Sequence, residues 1–200
     1  MKTIISFLAL LPLFYISFRY SFSLGWHWPV SVATYVQEHF RYEIGGYPQD
    51  FWKFVLHVSA KSALNIFIVV LAIRPLRNLL KIDFIKQRKL LGVFGFFYLV
   101  VHVIVFVGVK QHFNIAELTK ALQEHQYLWF GLAAFLIFFM MAVTSIPFLH
   151  KRFASWHKLF YLGMVLVMVH YLLSKKEIFM DDMIYMLVIS SLLALRLLKR

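Results

Sequence analysis

Four histidines lie in or at the ends of long apolar runs of the sequence. They are His57, His102, His157 and His170. Ionisable side chains within such runs usually face the interior of a helix bundle and mark functional sites. A neutral imidazole is a good ligand for haem iron, and two imidazoles on one iron leave no coordination position open for oxygen chemistry. The histidines therefore predict b-type haem that transfers electrons.

His102 and His170 are the strongest candidates for a ligand pair. They stand in the segments LVVHVIVF and VMVHYLL, and neither has a local polar partner. Taken singly, each could be a neutral histidine hydrogen-bonded to another helix. The third and fifth apolar segments run in the same direction, however, and both histidines fall in the outer half. Two imidazoles at similar depth on parallel helices predict the two axial ligands of one haem.

His157 suggests a second site nearer the inner face. It precedes His170 by 13 residues, a rise of about 19.5 Å along a helix. The third segment offers Arg88 at the matching depth instead of a histidine. Arginine stays protonated in proteins, so Arg88 is predicted to bind a haem propionate rather than iron. The alternative for His157 is an interfacial residue beside Trp156.

The second apolar segment carries a polar stripe of His57, Lys61 and Asn65, spaced four residues apart and therefore on one helix face. Lys61 lies well inside the segment, where a cation needs an anion nearby or must extend to the interface. A haem propionate is the anion that we predict. The remaining histidines are predicted to be solvated loop residues: His27, His39, His112, His125 and His150.

The composition shows what must position these residues. The chain is 62% hydrophobic and 15% charged, with a mean hydropathy of +0.74, whereas soluble domains are about 45–50% apolar. This predicts an all-α integral membrane protein. The absence of cysteine excludes disulfides, iron–sulfur clusters, thiolate zinc sites and covalent c-type haem. The net charge of +12 lies in short loops between apolar runs, which argues against nucleic-acid binding.

The chain is predicted to form a single membrane domain over residues 1–200 with six spanning helices. These are 3–22, 52–73, 89–109, 127–148, 156–173 and 183–198. The first is interpreted as a retained helix rather than a signal peptide, because no small-residue cleavage site follows it. Basic connectors at 74–89 and 149–158 and a basic tail alternate with more acidic connectors. The positive-inside rule then places both termini in the cytoplasm, in a bacterial inner membrane.

Several short motifs occur in an order that resembles the ferric-reductase-like transmembrane domain family. They are Arg88-Lys89-Leu90-Leu91-Gly92 before His102, His157-Lys158-Leu159-Phe160-Tyr161-Leu162 before His170-Tyr171-Leu172, and Thr144-Ser145 at the end of helix four. The segment from His57 to Leu64 and the predicted loop Arg74-Pro75-Leu76 resemble one subgroup. That subgroup comprises haem-binding membrane subunits of periplasmic methionine-sulfoxide reductases. The resemblance implies a haem-binding core at about residues 52–175.

The resemblance also implies a function. Such a subunit takes electrons from the quinone pool or a cytosolic flavin reductase and passes them through one or two b-type haems. The acceptor is a periplasmic molybdopterin subunit that reduces methionine sulfoxide in damaged proteins. Flavin mononucleotide (FMN) is a further cofactor that the family implies, which would make the chain a flavoprotein. The subunit would be a non-catalytic part of an oxidoreductase complex.

Two other functional classes are less consistent with the sequence. A self-standing ferric reductase or cytochrome b oxidoreductase would need a soluble FAD/NADPH domain; the sequence ends at Arg200 and contains no GxGxxG motif. A non-redox transporter would often show internal repeats or interrupted helices, and neither is evident. The docking surface for an acceptor is predicted in the 25–50 and 110–126 connectors, with Trp26, Trp28, Tyr35 and Tyr47 exposed.

Overall fold

The computed structural model describes residues 2–23, 51–81, 84–178 and 180–198. All regular structure in these ranges is helical. The α-helices are α1 (Lys2–Ser23), α2 (Phe51–Leu80), α3 (Arg88–Val105), α4 (Ile115–Glu124), α5 (Tyr127–Thr144), α6 (Pro147–Phe153), α7 (Leu159–Leu173) and α8 (Met180–Leu198). The 25–50 connector lies outside the described residues. The predictions made for its aromatic residues, for His27 and for His39 therefore stay predictions.

Four helical stretches in the described ranges are long and apolar enough to cross a membrane. They are Phe51–Asn78, Ile85–Lys110, Tyr127–Thr144 and Ser155–Leu173. The prediction of an all-α multi-pass membrane protein is therefore confirmed. α1 contributes a shorter apolar stretch, Thr3–Ser17. The count of six spans and the location of the termini stay predictions.

The helix boundaries correct the sequence-based prediction at several places. The fourth span, predicted over 127–148, ends at Thr144, and the separate helix α6 follows it. The loop predicted at Arg74-Pro75-Leu76 is wrong, because α2 continues through Pro75 to Leu80. The residues after Pro75 are mostly good helix formers, and the helix stops only before Lys81, which has a φ of 57°. The fifth span was predicted from residue 156, whereas α7 begins at Leu159 and a 3₁₀-helix, Ala154–Lys158, precedes it. Such tighter turns are frequent at helix ends.

The helices pack mainly as two pairs, α2 with α3 and α5 with α7. A group of three aromatic rings joins the pairs. The ring of Phe67 on α2 stacks on that of Phe138 on α5, with centroids 4.3 Å apart and planes inclined by 13°. Phe160 on α7 meets both rings edge-on. These rings are almost completely buried, and they fix α2, α5 and α7 against one another at the centre of the bundle.

The α2–α3 contact depends on a missing side chain at Gly95. A Cβ atom there would lie 2.6 Å from Cε1 of Phe67, and the Phe67 ring is held by its stack on Phe138. We expect Gly95→Ala to lower the thermal unfolding temperature in detergent, since overpacking of this kind costs about 1–3 kcal/mol.

The control for Gly95→Ala is the same change three residues earlier. A Cβ atom at Gly92 would meet nothing within 4 Å, so Gly92→Ala should keep or raise the unfolding temperature through better helix propensity. Equal unfolding temperatures for the two variants would contradict this description of the α2–α3 contact.

Candidate haem site

The structure places His102 and His170 at the same end of the bundle. His102 lies in the last turn of α3 and His170 in the last turn of α7. The two helices run in parallel, because Arg88 at the start of α3 interacts with Tyr161 near the start of α7. The imidazole of His170 is also within electrostatic range of that of His102. The predicted pair is thus brought together.

His102 is held by the backbone of α2. Its Nδ1 lies 3.0 Å from the carbonyl oxygen of Leu56. A carbonyl oxygen can only accept a hydrogen bond, so Nδ1 carries the proton and donates it. The neutral imidazole then has its lone pair on Nε2, on the far side of the ring from α2. This is the tautomer that a metal-ligating histidine adopts when its other nitrogen is bonded to the protein.

His170 is held in the same way by α5. Its Nδ1 donates to the carbonyl oxygen of Tyr127 across 2.8 Å, which again leaves the lone pair on Nε2. The ring fits against α5 because residue 131, one turn after Tyr127, is glycine. A Cβ atom at Gly131 would lie 2.7 Å from both Nδ1 and Cε1 of His170. No other residue type could occupy position 131 with the ring in this place.

The two anchoring helices are the packing partners of the two histidine helices. α2 packs on α3 and α5 packs on α7, whereas α3 and α7 touch each other only slightly within the described residues. Both imidazoles are therefore fixed from behind, with Nε2 pointing away from each anchor. A π-helical turn, Phe106–Lys110, begins four residues after His102, and such turns are frequent at functional sites. This donor set fits a metal that needs two axial imidazoles.

The surroundings of His57 are cationic. His57 is exposed on α2, next to Leu56, and lies within electrostatic range of His102. Four lysines lie within electrostatic range of His57: Lys53, Lys61, Lys110 and Lys175. The anion that Lys61 meets in this structure is Asp181 on α8, at 3.4 Å. The Asn65 amide oxygen accepts a hydrogen bond from the Tyr185 hydroxyl at 2.8 Å.

The sequence analysis did not identify a second polar group at this end. Asp182 is fully buried at the start of α8, and its carboxylate pairs with the Lys175 ammonium at 2.9 Å. The hydroxyl of Tyr171, the residue after His170, donates to the same carboxylate. The sequence signal for this group was the pair Asp181 and Asp182 at the start of an apolar helix, since carboxylates stabilise helix N-termini. The contact ties the end of α7, and with it His170, to α8.

The predicted inner residues lie at the opposite end but are not shown as one site. His157 is partly buried in the 3₁₀-helix before α7. Arg88 interacts with the Tyr161 hydroxyl and lies within electrostatic range of Arg74 and Arg196. The Arg196 guanidinium also sits over the Tyr161 ring, 5.3 Å from its centroid. Tyr161 and the three arginines form a cationic group that the sequence did not predict.

The chain is similar to known membrane proteins. Residues 59–174 match the family described as ferric reductase like transmembrane component. A relative from Agrobacterium fabrum, the protein-methionine-sulfoxide reductase heme-binding subunit MsrQ, is 27% identical over 147 residues, which cover 72% of this chain and 68% of the relative. The proteins of that name from Brucella ovis and Brucella canis are 27% identical over 177 residues, covering 85% of this chain and 80% of theirs. No solved structure matches the chain.

The matched range includes both histidines held by backbone carbonyls, together with His157, Arg88 and Lys61. More than half of the sequence therefore carries the family pattern, on a bundle with four apolar helices of spanning length. The chain is a multi-pass membrane protein that belongs to the ferric reductase like transmembrane component family.

Proposed function

We propose that this chain is a haem b-containing electron-transfer subunit whose iron is ligated by His102 and His170. The observation that carries the proposal is the shared geometry of the two histidines. Each donates its Nδ1 proton to a backbone carbonyl of a neighbouring helix, at 3.0 Å and 2.8 Å, and each keeps Nε2 for a ligand. The similar proteins named heme-binding subunit support the same cofactor.

The protein residues have separable roles in this proposal. A haem with two imidazole ligands exchanges single electrons and has no open position for a substrate. The Leu56 and Tyr127 carbonyls set the tautomer and the ring orientation of the two histidines, and Gly131 provides room for one ring. Hydrogen bonds of this kind also increase ligand basicity, which tunes the potential of a bound metal.

His57 and Lys61 are proposed to bind the haem propionates. Both lie at the same end of the bundle as the two histidines, among the lysines named above. The Lys61–Asp181 pair does not preclude this role, because both side chains are partly exposed and the separation is 3.4 Å. Exposed pairs of this type contribute about 0–1 kcal/mol, so a propionate can replace Asp181.

The direction and partners of electron transfer follow from the family. We propose six spanning helices in a bacterial inner membrane, with both termini in the cytoplasm and the His102–His170 end facing the periplasm. The electron donor is the quinone pool or a cytosolic flavin reductase, and FMN is a further proposed cofactor. The acceptor is a periplasmic molybdopterin methionine-sulfoxide reductase subunit. The similar proteins named protein-methionine-sulfoxide reductase heme-binding subunit support the acceptor, and the concentration of basic residues at the other end supports the orientation.

The first test is the loss of haem on removing either ligand. His102→Ala and His170→Ala should each abolish most of the Soret absorbance of purified protein while the protein stays in the membrane. His112→Ala is the matched control, because His112 is exposed in the connector beside the same end. Normal haem content in both ligand variants would refute the assignment.

A second test uses the space beside the His170 ring. Gly131→Ala places a methyl group where the ring now lies, so the imidazole must move and its bond to Tyr127 must lengthen. We expect reduced haem occupancy or a shifted midpoint potential, measured by redox titration of the Soret band. Gly92→Ala makes the same change where space is open, and it should leave the potential unchanged. An unchanged potential and full occupancy in Gly131→Ala would contradict the packing described for His170.

The inner site is proposed to use His157, with Arg88 as a propionate partner. His157→Ala should then lower the haem-to-protein ratio from two to one, or remove one of two midpoint potentials. Haem extraction with a protein assay on the same sample measures the ratio. One haem per chain in the unmodified protein, unchanged in His157→Ala, would show that His157 is an interfacial residue only.

A further inference from the structure

The two helices that carry His102 and His170 are positioned by other helices rather than by each other. His102 is bonded to α2 and His170 to α5, whereas α3 and α7 touch only slightly within the described residues. Two imidazoles can share one iron only at a fixed separation. Contacts that join the α2–α3 pair to the α5–α7 pair must therefore set that separation. The stacked phenylalanine rings make such a contact at the centre of the bundle, but not at the histidine end.

At the histidine end, the start of α8 is bonded to the end of α7. The carboxylate of Asp182, which is fully buried, accepts a hydrogen bond from the Tyr171 hydroxyl and pairs with the Lys175 ammonium at 2.9 Å. The ammonium also lies over the Tyr171 ring, 5.0 Å from its centroid. Each of the three side chains thus interacts with the other two. Removing one partner of a buried ion pair is strongly destabilising, because the other charge is left uncompensated.

These contacts are connected to His170 through the backbone of α7. Tyr171 is the next residue, and the Ser174 N–H group donates to the His170 carbonyl oxygen at 3.0 Å. The Lys175 N–H group donates to the Leu172 carbonyl oxygen at 3.1 Å in the same turn. A displacement of the start of α8 would therefore reach His170 through the last turn of α7.

α8 is also bonded to α2, the helix that accepts the hydrogen bond of His102. The Tyr185 ring meets the Tyr171 ring edge-on, with centroids 5.8 Å apart. The Tyr185 hydroxyl donates to the amide oxygen of Asn65 on α2 at 2.8 Å. A continuous set of contacts therefore runs from His170, through the start of α8, to the helix that holds His102.

We propose that the start of α8 sets the separation of the two haem-ligating histidines through five positioning residues. These residues, which form the α8 contact cluster, are Asn65, Tyr171, Lys175, Asp182 and Tyr185. The inference rests on the function proposed above, which makes both histidines ligands of one iron. The cluster acts through the backbones of α2 and α7. Removing the groups that orient metal ligands typically lowers metal affinity by about 10–100-fold.

Asp181, the residue before Asp182, provides a matched control. Its carboxylate lies 3.4 Å from the Lys61 ammonium, and both side chains are partly exposed. Exposed ion pairs contribute little to stability, so Asp181 is not part of the α8 contact cluster. Asp181→Asn and Asp182→Asn are the same chemical change at neighbouring positions of one helix, and only the second should move the histidines.

The first experiment measures the separation of α3 and α7 in the full chain purified without haem. The chain contains no cysteine, so Ile104→Cys and Leu173→Cys can carry nitroxide labels for pulsed electron paramagnetic resonance. Both positions are exposed and lie within three residues of a histidine ligand. Asp182→Asn and Tyr185→Phe should each broaden the distance distribution or move its mean to longer values. Asp181→Asn should leave the distribution unchanged.

The second experiment measures haem binding by the same chain. Asp182→Asn and Lys175→Gln should each weaken haem affinity by about tenfold or more. Each should also add a high-spin fraction to the electron paramagnetic resonance spectrum of the oxidised protein, because one imidazole no longer reaches the iron in every molecule. Lys175→Arg keeps the cation and should restore the low-spin spectrum, and Asp181→Asn should match the unmodified protein.

If Asp182→Asn fails to accumulate, Tyr171→Phe removes a single hydroxyl from the same group and should show smaller changes of the same kind. Unchanged distances in both Asp182→Asn and Tyr185→Phe would overturn the proposal, as would equal changes in Asp181→Asn. A lower unfolding temperature with full haem affinity and a purely low-spin spectrum would give the cluster a structural role only, and would overturn it too. Absence of haem from the unmodified protein would instead refute the function proposed above, and the distances in haem-free protein would still decide whether α8 sets the separation of α3 and α7.

Discussion

An imidazole N–H group in a membrane must donate a hydrogen bond to a protein acceptor, because no water is available there to accept it. Helix carbonyls can accept a second hydrogen bond, since each has two lone pairs. His102 and His170 both use such carbonyls, on α2 and α5. The pairing of α2 with α3 and of α5 with α7 places each histidine beside its acceptor helix. The satisfied Nδ1 leaves Nε2 as the nitrogen that can ligate.

Charge is distributed so that the two ends of the bundle have different chemistry. At the histidine end, lysines meet acids, as in the buried contact between Lys175 and Asp182. At the opposite end, arginines gather around Tyr161 without a carboxylate among the described residues. The apolar middle is held by dispersion contacts such as the Phe67–Phe138 stack, which suits a bundle whose solvent is as apolar as its core. Polar contacts therefore fix the helices relative to one another at the two ends of the bundle, and side-chain packing fixes them in the middle.

The sequence was sufficient for the membrane class, and it identified the two central histidines as candidates, because a polar residue in a long apolar run is a local signal. It could not show the anchors of those histidines, since Leu56 and Tyr127 act through backbone atoms that every residue has. Gly131 was a partial signal, as a glycine in an apolar helix often marks a close approach. The continuation of α2 past Pro75 and the Arg88–Tyr161–Arg196 group depend on packing between distant segments. Periodicity within one segment does not report such contacts.

We propose that two neutral imidazoles, each fixed through Nδ1, would ligate one haem. Near-infrared magnetic circular dichroism of the oxidised, purified protein reports the axial ligand pair directly. We expect the low-spin charge-transfer band of bis-imidazole iron, with no high-spin signal. A band typical of histidine–methionine ligation, or a high-spin spectrum with one open axial position, would contradict the claim.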